Sequence, residues 1–387
     1  MPKRLKAGWT PGKRRAIPWC LRKLKGSLGW GLALGVLLTL APQSWAAPAI
    51  DLPEGFSISV FTDQVPYARA LAPGPSGAWF VGTRKDRVYL VWDRDGDGRA
   101  ETVRVLLTGL HRPNGVAFRH GDLFVGEIHR ILRYPKIMDR LDAPPPPEVV
   151  ARYPDKTWHG LKVIRFGPDG LLYVPVGAPC NVCETLGTPF GAITTLNVDT
   201  KEVRPFAHGV RNSVGLDWHP LTGELWFTDN GRDLLGDNLP PDELNHAPEA
   251  GLHFGFPYRH GRDVPDPEFG ELPEGLLPTP PAQPLGPHVA SLGMRFYTGN
   301  RFPPSYRNQI FICEHGSWNR SEKIGYRITL VRLSGNTPIS YEPFASGWHK
   351  GNQVFGRPVD LAVMDDGSLL VSDDHAGVLY RIVWKGI

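Results

Sequence analysis

Residues 209–245 read GVRNSVGLDWHPLTGELWFTDNGRDLLGDNLPPDELN, and this stretch decides the fold. Its middle predicts a β-hairpin, because the apolar segment 214–218 runs into a Pro-Leu-Thr-Gly turn and a second apolar strand, 224–228, follows. Polar residues that a strand does not need stand on both sides of this hairpin: Arg211-Asn212 before it and Asp229-Asn230-Gly231 after it. These flanking groups are where we expect the chemistry.

The same hairpin recurs along the chain. A turn of the form Gly-x-apolar precedes a short apolar strand at five places, and a sixth turn has asparagine instead of glycine: Gly77, Gly121, Gly170, Gly223, Gly367 and Asn308. Most of these turns are roughly 45 to 60 residues apart, the period of four-stranded blades and not of βαβ units. The chain is therefore predicted to be all-β, a six-bladed β-propeller with blades of four antiparallel strands. The alternative, a large irregular β-sandwich, is disfavoured by the regular repeat.

The composition agrees with this prediction. The 44 Gly, 39 Pro and 12 Trp residues are typical of turns that join short strands. Because one propeller of this size buries a large core and no linker interrupts the sequence, residues 47–387 are predicted to form a single domain. Two Pro-rich stretches, 144–147 and 273–287, break regular structure and are expected to be loops between blades.

The N-terminus is predicted to be a cleaved signal peptide, residues 1–46. Nine Lys or Arg in residues 1–26 precede the apolar run 28–41 and the small-residue pattern at 44–46. Fourteen apolar residues span about 21 Å as a helix, less than the roughly 30 Å of a bilayer core, so we expect no stable membrane span. The expected location is exported, periplasmic or secreted. Residues 47–387 carry 34 basic and 39 acidic side chains, and nothing predicts nucleic-acid binding.

Three cysteines follow the predicted leader. Cys180 and Cys183 form a CNVC motif, and in an exported protein they could close a small disulfide loop. A redox-active thiol pair is the alternative, although no thioredoxin-like helix context accompanies it. A haem attachment motif needs His after the second cysteine, where this chain has Glu184. Cys313 is expected to be a buried thiol.

A set of motifs in one order resembles a known family. They are Trp158–Leu161, Gly167–Gly177, CNVC, Gly209–Asn212, DNGRD followed by DELN, His315–Arg320 and Gly356–Val363. From roughly Pro53 onward the chain is similar to the soluble pyrroloquinoline quinone (PQQ)-dependent glucose/sorbosone dehydrogenases, within them to the sorbosone branch. The resemblance implies a six-bladed, exported enzyme that binds PQQ across the channel mouth with a Ca²⁺ ion. It also implies oxidation of an aldose or aldehyde sugar, with electrons passed to an external quinone or cytochrome c.

The resemblance also implies catalytic residues. His159 matches the family's catalytic base, and a neutral imidazole suits removal of a hydroxyl proton while hydride leaves for the quinone. Arg211 matches the cation that stabilises the charge developing on the quinone oxygen, with Asn212 as its hydrogen-bonding partner on the cofactor. The alternatives are a core or surface histidine and an inter-blade salt bridge.

For the metal, the family pattern implies the main-chain carbonyls of Gly231 and Arg232 and the carboxylate of Asp242, oxygen ligands of the kind Ca²⁺ prefers. The sequence departs from the glucose enzymes here. Asn230, predicted to contact the cofactor, stands where they have Gln, and Arg232 stands where they have Pro.

The three carboxylates of PQQ call for cations, and Arg320 and Arg357 are the predicted partners. Arg295 or Lys350 could substitute for Arg320. Trp318 is expected to stack on the planar quinone, to form a wall of the sugar pocket, or to pack within a blade.

Other functions stay open beside the dehydrogenase. A Ca²⁺-dependent propeller lactonase or hydrolase would activate water on a central metal, and Asp229, Asn230 and Asp360 could provide some of its ligands. A non-enzymatic binding scaffold is the other alternative, but it does not need an inward-facing His159 and Arg211. Separately, the stretch 93–98, DRDGDG, predicts either a polar turn or a second, structural Ca²⁺ site.

Overall fold

The structure, a computed structural model, describes residues 49–386, so the predicted leader lies outside the described residues. Six four-stranded antiparallel sheets make up a ring of blades. Blade one comprises β2 (Ala68–Pro73), β3 (Ala78–Thr83), β4 (Val88–Trp92) and β5 (Thr102–Leu107), and blade two comprises β6 (Gly115–Arg119), β7 (Asp122–Gly126), β8 (Arg130–Tyr134) and β9 (Glu148–Arg152). Blade three comprises β10 (Arg165–Phe166), β11 (Leu172–Val176), β12 (Ala192–Leu196) and β13 (Val203–His208). Blade four comprises β14 (Gly215–Trp218), β15 (Leu225–Asp229), β16 (Pro241–Ala247) and β19 (Gln283–Pro287).

The remaining elements complete the ring. Blades five and six comprise β20 (Ser291–Phe296), β21 (Ile310–Glu314), β22 (Arg327–Ser334) and β23 (Thr337–Ala345), then β26 (Pro358–Val363), β27 (Leu369–Asp373), β28 (Val378–Trp384) and β1 (Phe56–Thr62). Two small hairpins stand outside the blades: β17 (Arg259–His260) with β18 (Val264–Pro265), and β24 (His349–Lys350) with β25 (Gln353–Val354). Three short 3₁₀ turns occupy Pro75–Gly77, Ile137–Arg140 and Pro304–Tyr306. Within residues 49–386 no helix has the length and apolarity to cross a bilayer.

The predicted six-bladed propeller is confirmed, and the six repeated turns are its landmarks. Each of them joins the first to the second strand of one blade. All five glycines have positive φ, for example +82° at Gly170, and Asn308 has φ +59°. Because Asn is one of the few residues besides Gly that adopts this left-handed conformation at low cost, it replaces glycine in the fifth blade.

The core lies between the blades and not inside one sheet. Each blade packs both faces of its sheet against its neighbours, so six apolar clusters alternate with six sheets around the ring. Strands such as β21 (IFICE) and β27 (LLVSD) are buried along their whole length for this reason. This burial on both faces explains why the strands are almost continuously apolar and do not alternate with polar residues.

The Pro-rich stretches do not lie where they were expected. Residues 144–147 connect β8 to β9 and residues 273–287 precede and form β19, so both lie within a blade and not between blades. The prediction of inter-blade loops is therefore wrong. The physical reason is that the fourth strand of each blade is an edge strand, where the missing N–H of proline can face solvent.

Strands from the two ends of the chain close the ring. β1 pairs with β28, from Phe56 opposite Trp384 onward, and becomes the outer strand of the sixth blade. The Phe56 ring contacts the rings of Phe302, Phe344 and Trp384 with centroids 4.8, 5.0 and 4.9 Å away. Blades five and six are thus joined through one side chain of the closing strand.

Phe56→Ala is expected to lower the free energy of unfolding by about 2–3 kcal/mol, since the ring is partly buried and its loss leaves a cavity among aromatic side chains. Urea unfolding followed by tryptophan fluorescence measures this change. Ile339→Ala is the matched control, because Ile339 is 65% exposed on β23. Equal stabilities of the two variants would contradict a closing role for Phe56.

Two kinds of loop emerge at the same end of the propeller. Antiparallel strands alternate in direction, so the connections from one blade to the next and the connections from the second to the third strand leave the sheets together. We call this end the site end. Its inter-blade loops include 108–114, 153–164, 209–214 and 346–357. Its intra-blade loops include 84–87, 127–129, 177–191, 230–240 and 315–326.

Candidate active site

The structure places all the predicted site residues at the site end. His159 lies in loop 153–164, Arg211 and Asn212 in loop 209–214, and Arg357 in loop 346–357. Four more lie in or directly after the second-to-third-strand loops of blades four and five: Asn230, Gly231, Arg232 and Arg320, with Asp242 at the start of β16. Residues from position 159 to position 357 of the sequence thus meet around one mouth of the channel.

His159 has its proton position fixed by the backbone. Its Nδ1 lies 2.9 Å from the carbonyl oxygen of Ala178. Because a carbonyl oxygen only accepts hydrogen bonds, Nδ1 carries the proton and Nε2 presents a lone pair. Gly177 makes this approach possible, since a Cβ there would stand 2.6 Å from the Cβ of His159. The loop holds His159 with φ +47°, a conformation that is costly for a side chain of this type.

The imidazole of His159 is uncharged at ordinary pH. Burial, and then the positive charge of Arg211, lower the pKa of His159 to about 3, against a smaller opposing effect of the Ala178 hydrogen bond. A neutral ring with a free Nε2 is the form that can accept a proton.

Arg211 is buried and all its N–H groups are occupied by protein oxygen atoms. Nε donates to Asn181 O at 2.8 Å, and Nη2 donates to Asn181 Oδ1 at 2.9 Å and to Asp233 Oδ2 at 3.1 Å. Nη1 donates to the carbonyls of Asn230 and Gly231 at 3.1 and 2.8 Å. In this arrangement the guanidinium holds loops together and has no N–H left for a ligand.

Asp229 and Asp242 fix the main chain around Arg211. Asp229 accepts the N–H groups of Arg211 and Asn212 at 2.8 and 2.6 Å, and Asp242 accepts those of Gly231 and Ser291 at 3.0 and 2.9 Å. Burial raises the pKa of each carboxyl to about 7. The sequence shows both acidic residues, but it does not predict that their carboxylates accept hydrogen bonds from backbone N–H groups.

The predicted calcium ligands are engaged elsewhere. The carbonyl of Gly231 accepts from Arg211, and both carboxylate oxygens of Asp242 accept backbone N–H groups. The Arg232 side chain pairs with the buried carboxylate of Asp266. As they stand, these three residues do not fit a calcium ion, because a guanidinium already occupies the Gly231 carbonyl.

The amide of Asn230 ties blades four and five together. Its Nδ2 donates to the carbonyls of Asn212 and Ser291, both at 3.0 Å. Asn212 itself is half-buried at the mouth. The side chain of Asn230 therefore contacts the main chain of Asn212, the other asparagine predicted to bind the cofactor.

The two predicted carboxylate-binding arginines differ in position. Arg357 is half-buried and donates to the carbonyls of His315 and Gly316, both at 3.0 Å. Arg320 donates to the carbonyl of Asp237 and to that of Glu322 at 3.2 Å, in the loops around the rim. Its suggested substitute Arg295 is buried in the channel and pairs with Asp360 at 3.1 Å.

A cationic cavity at the site end was missed by sequence reasoning. About 450 Å³ in volume, it is lined by Tyr67, Arg84, Lys85, Asp86, Arg112 and Leu161. The Lys85 ammonium stands 4.8 Å from the ring of Tyr67, and Arg84 pairs with buried Asp374 at 3.2 Å. The available signal was the end of the stretch VGTR, where Arg84 directly follows the second strand of the first blade, as polar residues follow the second strands of other blades.

Asp374 anchors this cavity from below. It accepts from Arg69 at 3.1 Å, from Arg84 at 3.2 Å and from His315 Nε2 at 2.7 Å. Burial opposes ionisation, but His315, Arg69 and Arg84 together hold the pKa of the Asp374 carboxyl far below its usual range. One buried carboxylate thereby links the first, fifth and sixth blades under the mouth.

A disulfide joins Cys180 and Cys183, so the first alternative for the CNVC motif holds. The loop it closes contains Asn181, which contributes two oxygen atoms to Arg211 and also accepts the N–H of Asp233 at 2.8 Å. Cys313 is a buried free thiol. The disulfide therefore supports the Arg211 cluster directly.

The residues considered for a lactonase metal do not form a ligand set in the described part of the chain. Asp360 pairs with Arg295 and accepts the N–H of Leu71 at 3.0 Å, while Asp229 serves backbone N–H groups. The turn 93–98 lies at the opposite end, where the carboxylates of Asp93, Asp95, Asp97 and Glu101 approach one another and accept main-chain N–H groups. Both interpretations of that turn stay open.

Two family profiles and several known proteins match this chain. The sequence profile of the glucose/sorbosone dehydrogenase family matches residues 149–315, and a TrAA12-like profile matches residues 277–385. An uncharacterized protein of Borreliella burgdorferi is 32% identical over 371 residues, 90% of this chain and 94% of its own length. A pyrroloquinoline quinone-dependent pyranose dehydrogenase of Coprinopsis cinerea is 30% identical over 118 residues, 25% of this chain and 15% of that protein.

Solved structures share the fold at low sequence identity. The calcium structure of a Trichoderma reesei family AA12 enzyme has a TM-score of 0.76 at 17% identity, covering 87% of this chain and 98% of that one. The holo pyranose dehydrogenase PQQ domain from Coprinopsis cinerea has a TM-score of 0.73 at 17% identity, covering 87% and 97%. The apo soluble aldose sugar dehydrogenase from Escherichia coli has a TM-score of 0.63 at 18% identity, covering 85% and 99%. With the profile match and the propeller in agreement, the chain belongs to the glucose/sorbosone dehydrogenase family.

Proposed function

We propose that this protein is a PQQ-dependent dehydrogenase that oxidises an aldose or an aldehyde sugar of the sorbosone kind. The observation that carries the proposal is the neutral, backbone-oriented imidazole of His159 beside Arg211 at the channel mouth. Two similar proteins support the proposal by their names: the PQQ-dependent pyranose dehydrogenase of Coprinopsis cinerea and the holo PQQ domain from the same organism. Electrons are proposed to pass to an external quinone or a cytochrome c.

His159 is proposed to act as the base. Its Nδ1 keeps a proton on the Ala178 carbonyl, which directs the lone pair of Nε2 outward to take the hydroxyl proton of the sugar. Bound PQQ supplies the acceptor for the hydride that leaves the same carbon. Burial is the main reason why His159 stays unprotonated, and Arg211 adds to it through its positive charge.

The mouth carries several cations that a tricarboxylate ligand would need. The cavity brings the exposed cations Arg84, Lys85 and Arg112 together, and Arg357 lies half-buried in a neighbouring loop. Guanidinium groups bind carboxylates in bidentate geometry, so this set suits the three carboxylates of PQQ. Arg320, Asn212 and Asn230 complete the proposed binding residues.

Calcium is part of the proposal, but its binding requires a rearrangement of the site. Gly231, Arg232 and Asp242 can bind an ion only after Arg211 releases the Gly231 carbonyl and Asp242 gives up a backbone N–H. No chemical step is therefore assigned to the ion. The calcium structure of the Trichoderma relative is what supports its inclusion.

Export to the periplasm or medium is also proposed. It is supported by the pattern of residues 1–46 and by the Cys180–Cys183 disulfide, a bond that persists in oxidising compartments. Sugar dehydrogenation outside the cytoplasm agrees with an external electron acceptor.

The test is a titration of purified, metal-stripped protein with PQQ, with and without Ca²⁺, followed by quenching of tryptophan fluorescence. Dye reduction is then measured across a panel of aldoses and sorbosone. We expect saturable PQQ binding, and we expect Arg112→Gln to weaken it about tenfold because a charged hydrogen bond to a carboxylate is lost. Arg204→Gln is the control, since Arg204 is exposed on β13 away from the mouth.

Two results would contradict the proposal. If PQQ bound under no metal condition, the proposed dehydrogenase activity would be rejected. Lactone hydrolysis would then be assayed on the same protein. If Arg112→Gln left the affinity for PQQ unchanged, the cofactor would not bind in the cationic cavity.

A further inference from the structure

A second group of potential metal ligands meets at the site end, apart from the residues proposed for sugar oxidation. His111 comes from loop 108–114, His129 from loop 127–129 and Asp155 from loop 153–164. Their ligand atoms all lie within 4.8 Å of one another. We propose that these three side chains bind a divalent transition-metal ion of the zinc and copper class.

The spacing of the two rings suits one ion. The Nδ1 atoms of His111 and His129 lie 3.3 Å apart, with ring planes tilted by 47°. Two nitrogens bound to one tetrahedral ion at 2.0–2.1 Å stand roughly 3.4 Å apart. A direct hydrogen bond requires one Nδ1 to be protonated, whereas an ion accepts the lone pairs of both rings. The carboxylate of Asp155 is exposed, so it can turn to complete the set.

The donor set selects the class of metal. Imidazole nitrogens suit Zn²⁺, Cu²⁺ and Ni²⁺, while Ca²⁺ and Mg²⁺ require mostly oxygen ligands. Two histidines and one carboxylate leave at least one coordination position for water or an external ligand. The site is therefore different in kind from the calcium ion of the proposed function.

Main-chain contacts hold the two histidines in place without the metal. Ile128 N donates to the His111 carbonyl at 3.4 Å, and Tyr153 N donates to the His129 carbonyl at 2.8 Å. The main-chain N–H of His111 donates to Glu127 Oε1 at 2.6 Å, and Glu127 is fully buried. These bonds join all three loops, so most of the ordering that a metal site needs is already present.

The site adjoins the cationic cavity along the chain. His111 precedes Arg112, which lines that cavity, and Asp155 lies four residues before His159. A bound ion adds positive charge to the rim of the mouth. The inference goes beyond the proposed function, since it requires neither PQQ nor sugar.

The test uses protein purified without a histidine tag, stripped with chelator and kept in millimolar Ca²⁺ so that oxygen sites are saturated. Calorimetric titration with Zn²⁺ is expected to show one equivalent bound. His111→Ala and His129→Ala are each expected to weaken binding by more than about tenfold, and Asp155→Asn by less. His120→Ala is the matched control, because His120 is exposed in the turn between β6 and β7 at the opposite end.

Electron paramagnetic resonance of the wild-type protein with one equivalent of Cu²⁺ gives a second measurement that does not depend on variants folding. Hyperfine coupling to two imidazole nitrogens is expected. Failure to bind Zn²⁺ and Cu²⁺, a spectrum without two nitrogen couplings, or equal binding by wild type and the His111→Ala and His129→Ala variants would overturn the proposal. None of these outcomes bears on PQQ binding, which is measured separately.

Discussion

Replacing His159 by alanine is expected to lower kcat for the best sugar by about 10²–10⁴-fold while PQQ binding stays within about twofold of wild type. The reason is that Nε2 is the lone pair that the Ala178 carbonyl directs outward, and alanine leaves no group to take the hydroxyl proton. Steady-state dye reduction and the PQQ titration measure the two quantities on the same preparation.

His120→Ala is the control for this variant, since it removes an imidazole from the opposite end of the propeller. If His159→Ala and His120→Ala had the same kcat, another group would have to be the base. If His159→Ala lost PQQ binding as well, the side chain would be a binding residue and the loss of kcat would carry no information on proton transfer.

The same assignment has a consequence for pH dependence. The pKa of His159 is lowered to about 3 by burial and by Arg211, so the ring is unprotonated at every pH above roughly 4. Protonation of this group therefore cannot produce a fall in kcat/KM between pH 7 and pH 4, and only below about pH 3 does it remove the base. An NMR titration of the imidazole checks this directly. A midpoint near the ordinary value of 6.5 would contradict the buried arrangement.

Replacing Arg211 by methionine is expected to lower the free energy of unfolding by about 3–5 kcal/mol, because it breaks a buried ion pair and leaves its partners unpaired. The side chain donates to five oxygen atoms, among them the Asp233 carboxylate and the carbonyls of Asn181 and Gly231. Urea unfolding measures the change. Arg204→Met, which removes an exposed arginine paired with Glu202, is the control and is expected to change stability by less than about 1 kcal/mol.

The Arg211 variant also separates two roles for this residue. If the guanidinium chiefly holds the loops, stability falls and the pKa of His159 rises as the neighbouring positive charge disappears. If it chiefly contacts the cofactor, as the resemblance implies, PQQ affinity falls with little change in stability. The contacts of this structure favour the first result, and a variant as stable as wild type would reject it.

The fold could be predicted from the sequence because its landmarks are local. A turn such as Gly170 or Asn308 is specified by the backbone conformation of a single residue, and six such turns at a regular spacing define the blades. The placement of the Pro-rich stretches could not be derived in the same way. Whether Pro144–Pro147 joins blades or lies within one depends on which strand is at the edge, a property of the assembled sheet.

The candidate site could be predicted from the sequence only in part, for the same reason. His159 and Arg211 stand in recognisable motifs, but the partners of Arg211 are mostly main-chain carbonyls, which carry no sequence signal. The cations Arg84 and Arg112 look like ordinary surface residues until the ring brings their two loops around one cavity. Arg320 could be predicted as a nearby cation, but its place on the rim followed only from the structure.

The pairing of β1 with β28 sets the order of events when the protein folds. Residue 56 must find residue 384, so the ring cannot close until the last strand of the chain exists, and such distant contacts form slowly. Until then β1 has no partner strand, and an unpaired strand edge is open to other chains, which is the kind of species that aggregates. With the export proposed above, the native ring is completed only where both ends of the chain have arrived.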